Sequence, residues 1–151
     1  MNRPIAWLDQ TNIVSGNLEA SLAFYRRLGV EIPEEHVWST ASGIHHASAG
    51  ETANPAINFE LDSIAFARIW NQGWKGHRDL GGKVVVGFKL SSRDAVDAVY
   101  GDLTGAGYIG LQVPYDAFWG SRYAVVEDPN GIAVGLMSPP SAELRSAPPE
   151  V

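Results

Sequence analysis

A short stretch of the sequence places a carboxylate beside an amide on one side of a strand. Residues 57–61 read INFEL, so apolar and polar residues alternate. Because successive side chains of a strand point to opposite faces, Asn58 and Glu60 share the face that the apolar residues avoid. Burial of that carboxylate against apolar walls would strengthen it as a base, suited to general base catalysis or to binding a cationic ligand. Glu60 is therefore the candidate catalytic residue, unless a neighbouring amide simply satisfies it.

Aromatic residues are the second chemical signal. Five tryptophans are many for 151 residues, and each either packs in the core or lines a pocket for a flat or apolar ligand. Trp38, in a strand-like piece of the first half, is one pocket candidate. Residues 114–122 offer an aromatic lip with a cation beside it: Tyr115, Phe118, Trp119 and Arg122. Arg122 would bind an acidic group or pair with Glu127 or Asp116.

Metal and nucleophile chemistry has little support in the residue types. Cysteine is absent, which excludes disulfides, thiolate metal sites and a cysteine nucleophile. Adjacent His45 and His46 would point to opposite faces of a strand, so both cannot easily bind one ion. We expect the histidines to lie in loops or to face solvent: His36, His45, His46 and His77. The sequence has no phosphate-binding loop, dinucleotide glycine pattern or zinc-protease helix.

The composition is that of an ordinary globular domain. Hydrophobic residues make up 45% and charged residues 19%, and the net charge is −6. A nucleic-acid-binding protein usually has a basic stripe, and the sequence shows none. No apolar run is long enough to span a membrane. The first ten residues lack a signal-peptide pattern, so a cytoplasmic location is expected.

Local signals predict mixed α and β structure. Asn17 is a helix N-cap and Gly29 a helix C-cap, with Ser91 or Ser92 capping a second helix that ends at residues 105–107. Residues 62–82 are a connector with some helix, residues 110–120 are rich in turns, and the acids of the sequences LDS and VEDP lie at turns. Strands are predicted at residues 8–14, 37–39, 45–47, 57–61, 84–90, 122–127 and 132–137.

The chain repeats itself at half its length. A shift of 75 positions places Tyr25 on Tyr100 and Ile57 on Ile132, and it aligns strand, helix and hairpin together. We therefore predict one α+β domain over residues 1–139, built from two βαβββ modules at about 5–75 and 83–139. Residues 140–151 lack periodicity and are expected to form a mobile tail.

Two motifs resemble the glyoxalase/bleomycin-resistance/extradiol-dioxygenase superfamily. The first is QTNIVSGNLEASLAFYRRLG at residues 10–29, and the second is GSRYAVVEDPNGIAVGLMSP at residues 120–139. The resemblance implies two modules whose sheets curl around a cavity, with helices on the outer faces. It also implies a homodimer, the common state of single-domain members.

The resemblance further implies four metal-ligand positions, two in each module. Motif alignment places them at Gln10, Glu60, Val85 and Gly135. Val85 and Gly135 have no side-chain donor, so we predict no metal and no other cofactor. A histidine completing an atypical metal site is the alternative.

The implied cavity would have unlike walls. By strand parity the first module contributes a carboxylate and amides, whereas the second contributes small and apolar residues. The predicted ligand-binding residues are Gln10, Asn12, Trp38, Asn58, Glu60, Gly87, Tyr115, Phe118, Trp119, Arg122 and Gly135. A mixed wall with spare volume favours an organic ligand, unless tryptophan or phenylalanine side chains of the same chain fill the space.

These observations lead to a predicted function. We expect metal-free binding of a small, aromatic or apolar organic molecule, similar to bleomycin-resistance sequestration, with no nucleic-acid or membrane partner. The alternative is an enzyme, namely an isomerase, lyase or dioxygenase-like protein that uses Glu60 as base or an atypical metal site. A third reading is a dimeric scaffold with a collapsed cavity.

Overall fold

The computed structural model describes residues 8–50 and 57–150, so Trp7 lies outside the described residues. The chain divides into two compact units, Met1–Gly76 and His77–Val151. Together they form a mixed α+β fold with two open four-stranded sheets, as the sequence predicts. Within the described ranges, no helix is both long and apolar enough to cross a lipid bilayer.

The first unit is one sheet with two helices. Its elements are β1 (Gln10–Ser15), α1 (Leu18–Leu28), β2 (Val37–Thr40), β3 (Gly43–Ser48), β4 (Asn58–Ser63) and α2 (Ile64–Trp70). The strand order is β1-β4-β3-β2, in which β1 and β4 are parallel and the other neighbours are antiparallel.

The second unit has the same topology. Its elements are β5 (Val85–Lys89), α3 (Arg93–Gly105), β6 (Gly110–Asp116), β7 (Arg122–Glu127) and β8 (Ala133–Met137). The strand order is β5-β8-β7-β6, again with one parallel pair, β5 and β8.

The predicted repeat is confirmed by where the elements begin. The strands β1 and β5 begin at residues 10 and 85, the helices α1 and α3 at 18 and 93, and the strands β4 and β8 at 58 and 133, so each pair is 75 residues apart. The strand registers agree, because Gln10 pairs with Asn58 and Val85 pairs with Ala133. Equivalent positions of the two units can therefore be compared residue by residue.

The two helix N-caps illustrate how local sequence sets these elements. Asn17 Oδ1 accepts a hydrogen bond from the Ala20 amide at 3.1 Å, and Ser92 Oγ accepts one from the Ala95 amide at 3.1 Å. Each cap satisfies an amide that has no partner inside its helix. Gly29, with φ of 111°, ends α1 in the left-handed conformation that glycine adopts without strain.

The core of the first unit lies between α1 and one face of its sheet. The predicted apolar face of α1 is buried, and the Tyr25 and Phe59 rings lie 4.6 Å apart between centroids. Phe59 and Leu61 of β4 are buried, as their alternation predicts. Ile57 was expected on the same buried face but is 50% exposed, because β4 begins one residue after it. The opposite face of this sheet is thereby left for polar residues.

The second core forms in the same way beneath α3. Fully buried side chains from the helix and from β7 and β8 meet there: Val96, Leu103, Val126, Val134 and Leu136. The prediction of a turn-rich segment at residues 110–120 was wrong for residues 110–116, because β6 occupies Gly110–Asp116. Its Gly110 and Pro114 resemble turn residues, but β6 is an edge strand, where a proline removes no shared ladder bond.

Part of the predicted tail has hydrogen-bonded partners. The Ser141 amide donates to the Gly120 carbonyl at 3.0 Å, and the Ser146 amide donates to the Phe118 carbonyl at 2.9 Å. Residues Ala142–Leu144 form a short 3₁₀ turn between these two bonds. The mobility of residues 140–151 stays a prediction, but this segment is attached to the turn that precedes β7.

Removing either helix cap should cost a similar amount of stability. We expect Asn17→Ala and Ser92→Ala each to lower the free energy of unfolding by about 1 kcal/mol, since each leaves one helix amide without its acceptor. Urea denaturation followed by far-UV circular dichroism measures the change. Asn17→Ser and Ser92→Asn are the matched controls and should be nearly neutral. A cost in the controls equal to that of the alanine variants would contradict the capping role.

Candidate functional site

The strand pairing of the first unit collects polar side chains on one face of its sheet. In β1 and β4 the register places Asn12 beside Glu60, while β3 places Ser48 beside Glu60 and His46 beside Asp62. Paired residues of neighbouring strands point to the same face. We call this surface the polar face; its residues are Gln10, Asn12, His46, Ser48, Asn58, Glu60 and Asp62.

Glu60 lies at the centre of three amides. Asn58 Nδ2 donates to its Oε1 at 2.7 Å, and Asn12 Nδ2 donates to its Oε2 at 3.2 Å. The Gln10 amide, with its nitrogen toward the carboxylate, donates to Oε2 at 2.8 Å. The four predicted residues of this strand pair are therefore brought together. Neutral amide donors thus occupy much of the acceptor capacity of Glu60, which is the alternative that the sequence left open for this carboxylate; its burial against an apolar wall stays a prediction.

The second carboxylate of the polar face is buried and was missed from the sequence. Asp62 is 2% exposed and accepts from Asn12 Nδ2 at 2.7 Å, Trp70 Nε1 at 2.9 Å and His46 Nδ1 at 2.5 Å. The sequence LDS predicts a turn in which the aspartate caps the backbone, and this prediction is wrong. Instead β4 continues through Ser63, whose hydroxyl caps α2 by accepting from the Phe66 amide. The alternation Asn58, Glu60, Asp62 is the signal that could have identified Asp62.

His46 differs from its sequence neighbour in how its ring is used. The expectation that the histidines lie in loops or face solvent is wrong for His46, which is in β3 and donates to Asp62. Its Nε2 has no hydrogen-bonding partner among residues 8–50 and 57–150. His45 instead uses both nitrogens, with Ser63 Oγ at 3.2 Å from Nδ1 and Thr40 Oγ1 at 2.8 Å from Nε2. The two imidazoles contact consecutive residues of β4, Asp62 and Ser63, in line with the expectation that they point to opposite faces of the strand.

A groove borders the polar face on the side of β2. Its volume is about 490 Å³, within the range of small-molecule sites. We call it the β3 groove. The strands contribute Trp38, His46 and Ser48 to its lining, and the flanking segments contribute Glu35, His36 and Gly50. Trp38 is 47% exposed and lies 5.3 Å from the Phe66 ring between centroids. The groove thus combines one exposed indole with two imidazoles, a carboxylate and a hydroxyl.

The second unit carries different chemistry at the equivalent positions. A side chain at Gly135 would bring its Cβ within 2.8 Å of Tyr123 Oη, whereas a Cβ at Gly87 meets nothing within 4 Å. The Tyr123 ring of β7 therefore occupies the volume that a longer residue at position 135 would need. The sequence leaves open that tryptophan or phenylalanine side chains fill this volume; the residue beside Gly135 is instead a tyrosine.

The predicted aromatic lip is a packed cluster of rings around Tyr123. Trp119 lies 5.4 Å from Tyr123 and 5.2 Å from Phe118 between ring centroids, and Tyr115 lies 6.1 Å from Tyr123, all in edge-to-face arrangements. Burial, together with the nearby Tyr115, raises the pKa of Tyr123 above its ordinary value. Trp119 Nε1 is buried and finds no acceptor in the described ranges. Tyr115 and Phe118 nevertheless remain 37% and 39% exposed.

Arg122 is engaged by acids of its own unit. Its Nε donates to Asp97 Oδ1 at 2.9 Å and its guanidinium to Asp116 Oδ1 at 3.1 Å, while Arg93 also pairs with Asp116. The hydrogen bond from Arg122 lowers the pKa of the Asp116 carboxyl. Of the two sequence readings for Arg122, pairing with Asp116 is observed, and the partner Asp97 was not foreseen.

The predicted site residues thus fall into separate groups. Gln10, Asn12, Asn58 and Glu60 share the polar face beside Trp38, whereas the predicted residues after position 77 belong to the second unit. That all of them line one common cavity stays a prediction.

Comparison with known proteins assigns the chain to a family. The Glyoxalase/Bleomycin resistance protein/Dioxygenase superfamily matches residues 7–136, and the chain belongs to this superfamily. No curated protein matches the sequence significantly.

Solved structures share the fold at low sequence identity. A glyoxalase/bleomycin resistance protein/dioxygenase from Nocardioides is 22% identical with a TM-score of 0.63, over 100% of this chain and 91% of that one. A glyoxalase-related enzyme from Fulvimarina pelagi is 15% identical with a TM-score of 0.68, over 89% of each chain. A putative glyoxalase from Bacillus halodurans is 24% identical with a TM-score of 0.60, over 87% of this chain and 95% of that one. At these identities the likeness shows the fold alone.

The side chains present do not fit the metal site that the superfamily resemblance implies. Val85 and Gly135 supply no side-chain donor, and Glu60 and Gln10 are hydrogen-bonded to each other. Among the described residues, no three His, Asp or Glu side chains are grouped closely enough to hold an ion. We therefore derive no chemistry through a metal.

Adding a methyl group at Gly135 should disturb the aromatic cluster. We expect Gly135→Ala to lower the free energy of unfolding by about 1–3 kcal/mol, because the Tyr123 ring must move while Trp119 and Tyr115 pack against it. Gly87→Ala, which meets open space, is the matched control and should be neutral or slightly stabilising. Chemical denaturation measures both. Tyr123→Phe removes the nearest atom and should recover part of the loss; no recovery would show that the clash is elsewhere.

A third carboxylate on the polar face should be costly at neutral pH. Asn12→Asp removes the amide that donates to both Glu60 and Asp62 and replaces it with a negative charge. We expect a loss of about 3 kcal/mol in unfolding free energy at pH 7, and a smaller loss as the pH is lowered, because repulsion among three neighbouring carboxylates favours protonation of one of them. Asn12→Ala adds no charge, so its cost should change less with pH. Equal pH dependence of the two variants would contradict this arrangement.

Proposed function

We propose that the protein binds a small, aromatic or apolar organic molecule without a metal ion, as a sequestering protein of the bleomycin-resistance kind does. The observation that carries this proposal is the β3 groove, where the exposed indole of Trp38 lies beside the polar groups of His46 and Ser48. An apolar surface with a few placed hydrogen-bonding groups is the usual composition of a small-molecule site.

The indole is the main source of binding energy in this proposal. Trp38 offers a flat apolar surface at the rim of the groove, and its position is supported by the Phe66 and His45 rings at 5.3 Å and 5.0 Å. Stacking of an aromatic ligand on such a ring buries area from both partners and loses little side-chain entropy. A planar ligand is therefore favoured over a flexible one.

Catalysis is the second candidate, and the His46–Asp62 pair favours it. The sequence placed the base at Glu60, but amides surround that carboxylate, whereas His46 has one nitrogen held by a carboxylate and the other available in a groove. Such an imidazole is a better candidate for a general base than Glu60. Binding remains the leading proposal, because it needs only the groove and the ring.

Binding of a flat aromatic compound should depend on Trp38. We expect 2-naphthol to quench the tryptophan fluorescence with saturation, and Trp38→Ala to weaken its affinity at least tenfold, since the stacking surface is lost. Trp38→Phe keeps an aromatic ring and should weaken affinity much less. Fluorescence titration and isothermal calorimetry measure the affinities.

Trp74→Phe is the control for loss of a tryptophan outside the groove. Trp74 is not part of the groove lining, and its ring lies under the Arg68 guanidinium at 5.6 Å. Its replacement should leave the affinity unchanged. Equal affinity of wild type and Trp38→Ala would refute binding in the β3 groove.

A further inference from the structure

The imidazole of His46 has a fixed tautomer. An ionised carboxylate only accepts hydrogen bonds, so the 2.5 Å contact between His46 Nδ1 and Asp62 Oδ1 places the proton on Nδ1. Neutral imidazole carries one N–H, and Nε2 is then left with its lone pair. The structure therefore presents Nε2 as an acceptor, while His45 on the same strand has both nitrogens occupied.

Asp62 is itself held in place by two further donors. Asn12 Nδ2 and Trp70 Nε1 donate to its Oδ2 at 2.7 Å and 2.9 Å, so Oδ1 is the oxygen that faces His46. At 2% exposure this carboxylate does not exchange its partners for solvent. A buried carboxylate that orients an imidazole also stabilises the positive charge that forms when the imidazole takes a proton.

Few other charged groups lie near the ring. Glu35 and His36 line the same groove, and the helix α2 contributes the uncharged Phe66, whose ring lies 5.9 Å from that of His46 between centroids. On β4 the facing carboxylate is Asp62. The ring is 28% exposed, and Nε2 has no partner among the described residues. His36 Nε2 in the same groove also has no partner among the described residues, but its Nδ1 contacts the Ser48 carbonyl at 3.3 Å, whereas the Nδ1 of His46 is held by a buried carboxylate.

We infer that His46 Nε2 accepts the proton of an acidic O–H or N–H group on the molecule bound in the β3 groove, so that the ligand is a planar weak acid such as a phenol or an enol. This inference rests on the proposed function of the same groove. The ligand O–H bond breaks and leaves its electron pair on oxygen, while an N–H bond forms at Nε2. The product is an oxyanion beside an imidazolium that Asp62 stabilises, with no oxidant or metal required.

The test compares two probes that differ in one proton. 4-Nitrophenol carries an acidic O–H and changes colour when it loses the proton, whereas 4-nitroanisole has the same ring with a methyl ether. We expect wild-type protein to bind 4-nitrophenol at least tenfold more tightly than 4-nitroanisole. Below the pH at which the free probe ionises, the bound probe should show the phenolate absorption band.

Variants at the two adjacent histidines separate the role of Nε2 from general effects. His46→Asn retains an amide that can donate to Asp62, so the carboxylate keeps its partner, but it has no nitrogen at the Nε2 position. We expect this variant to lose both the phenolate band and the preference for 4-nitrophenol while it still binds 4-nitroanisole. His45→Asn should keep the band and the preference.

Each outcome decides between the two proposals. Tryptophan quenching by both probes with equal affinity and no phenolate band overturns the inference and leaves the proposed function in place. If neither probe quenches the tryptophan fluorescence, both the inference and the proposed function are overturned. Nitrogen-15 NMR of the imidazoles gives a check without any ligand: a proton on Nε2 of His46 in the free protein, with or without one on Nδ1, overturns the inference alone. Retention of the phenolate absorption band in His46→Asn also overturns the inference and leaves the proposed function in place.

Discussion

Burial of the Asp62 carboxylate is the constraint on which the first unit depends. A buried anion is costly unless donors surround it, and its three donors come from three different elements: Asn12 from β1, His46 from β3 and Trp70 from α2. The Asp62 carboxylate therefore links β4 to the strands on both of its sides and to α2, the helix that follows it. The same contacts determine which nitrogen of His46 carries a proton, so the stability of the sheet and the chemistry of the groove are not separable.

The two units have the same backbone topology but different residue types at equivalent positions. At positions 75 residues apart, Asn12 corresponds to Gly87, Glu60 to Gly135 and Asp62 to Met137, while the strand registers agree. The polar groups of the first unit are hydrogen-bonded to each other, and the aromatic rings of the second pack on each other. The superfamily fold therefore persists although two of the implied ligand positions have no donor.

What the sequence reveals depends on how local the cause is. The caps at Asn17 and Ser92 and the alternation in β4 were predictable, because each depends on residues that are close together in the sequence. The strand β6 was missed because Gly110 and Pro114 resemble turn residues and only its place at the sheet edge makes them acceptable. Asp62 was missed because its partners His46 and Asn12 are distant in sequence, and Tyr123 was missed because contact with Gly135 depends on side-chain packing.

The segment after β8 bears on the aromatic residues in front of β7. Gly120 has a φ of 94°, and a Cβ there would lie 2.3 Å from the Ser141 carbonyl oxygen, so the two backbones touch. The Ser141 amide donates to the Gly120 carbonyl and the Ser146 amide donates to the Phe118 carbonyl, so the two bonds lie on either side of Trp119. Proteolytic cleavage after Pro140 would therefore remove both hydrogen bonds and release the Phe118–Trp119 turn, while every strand of the unit stayed intact.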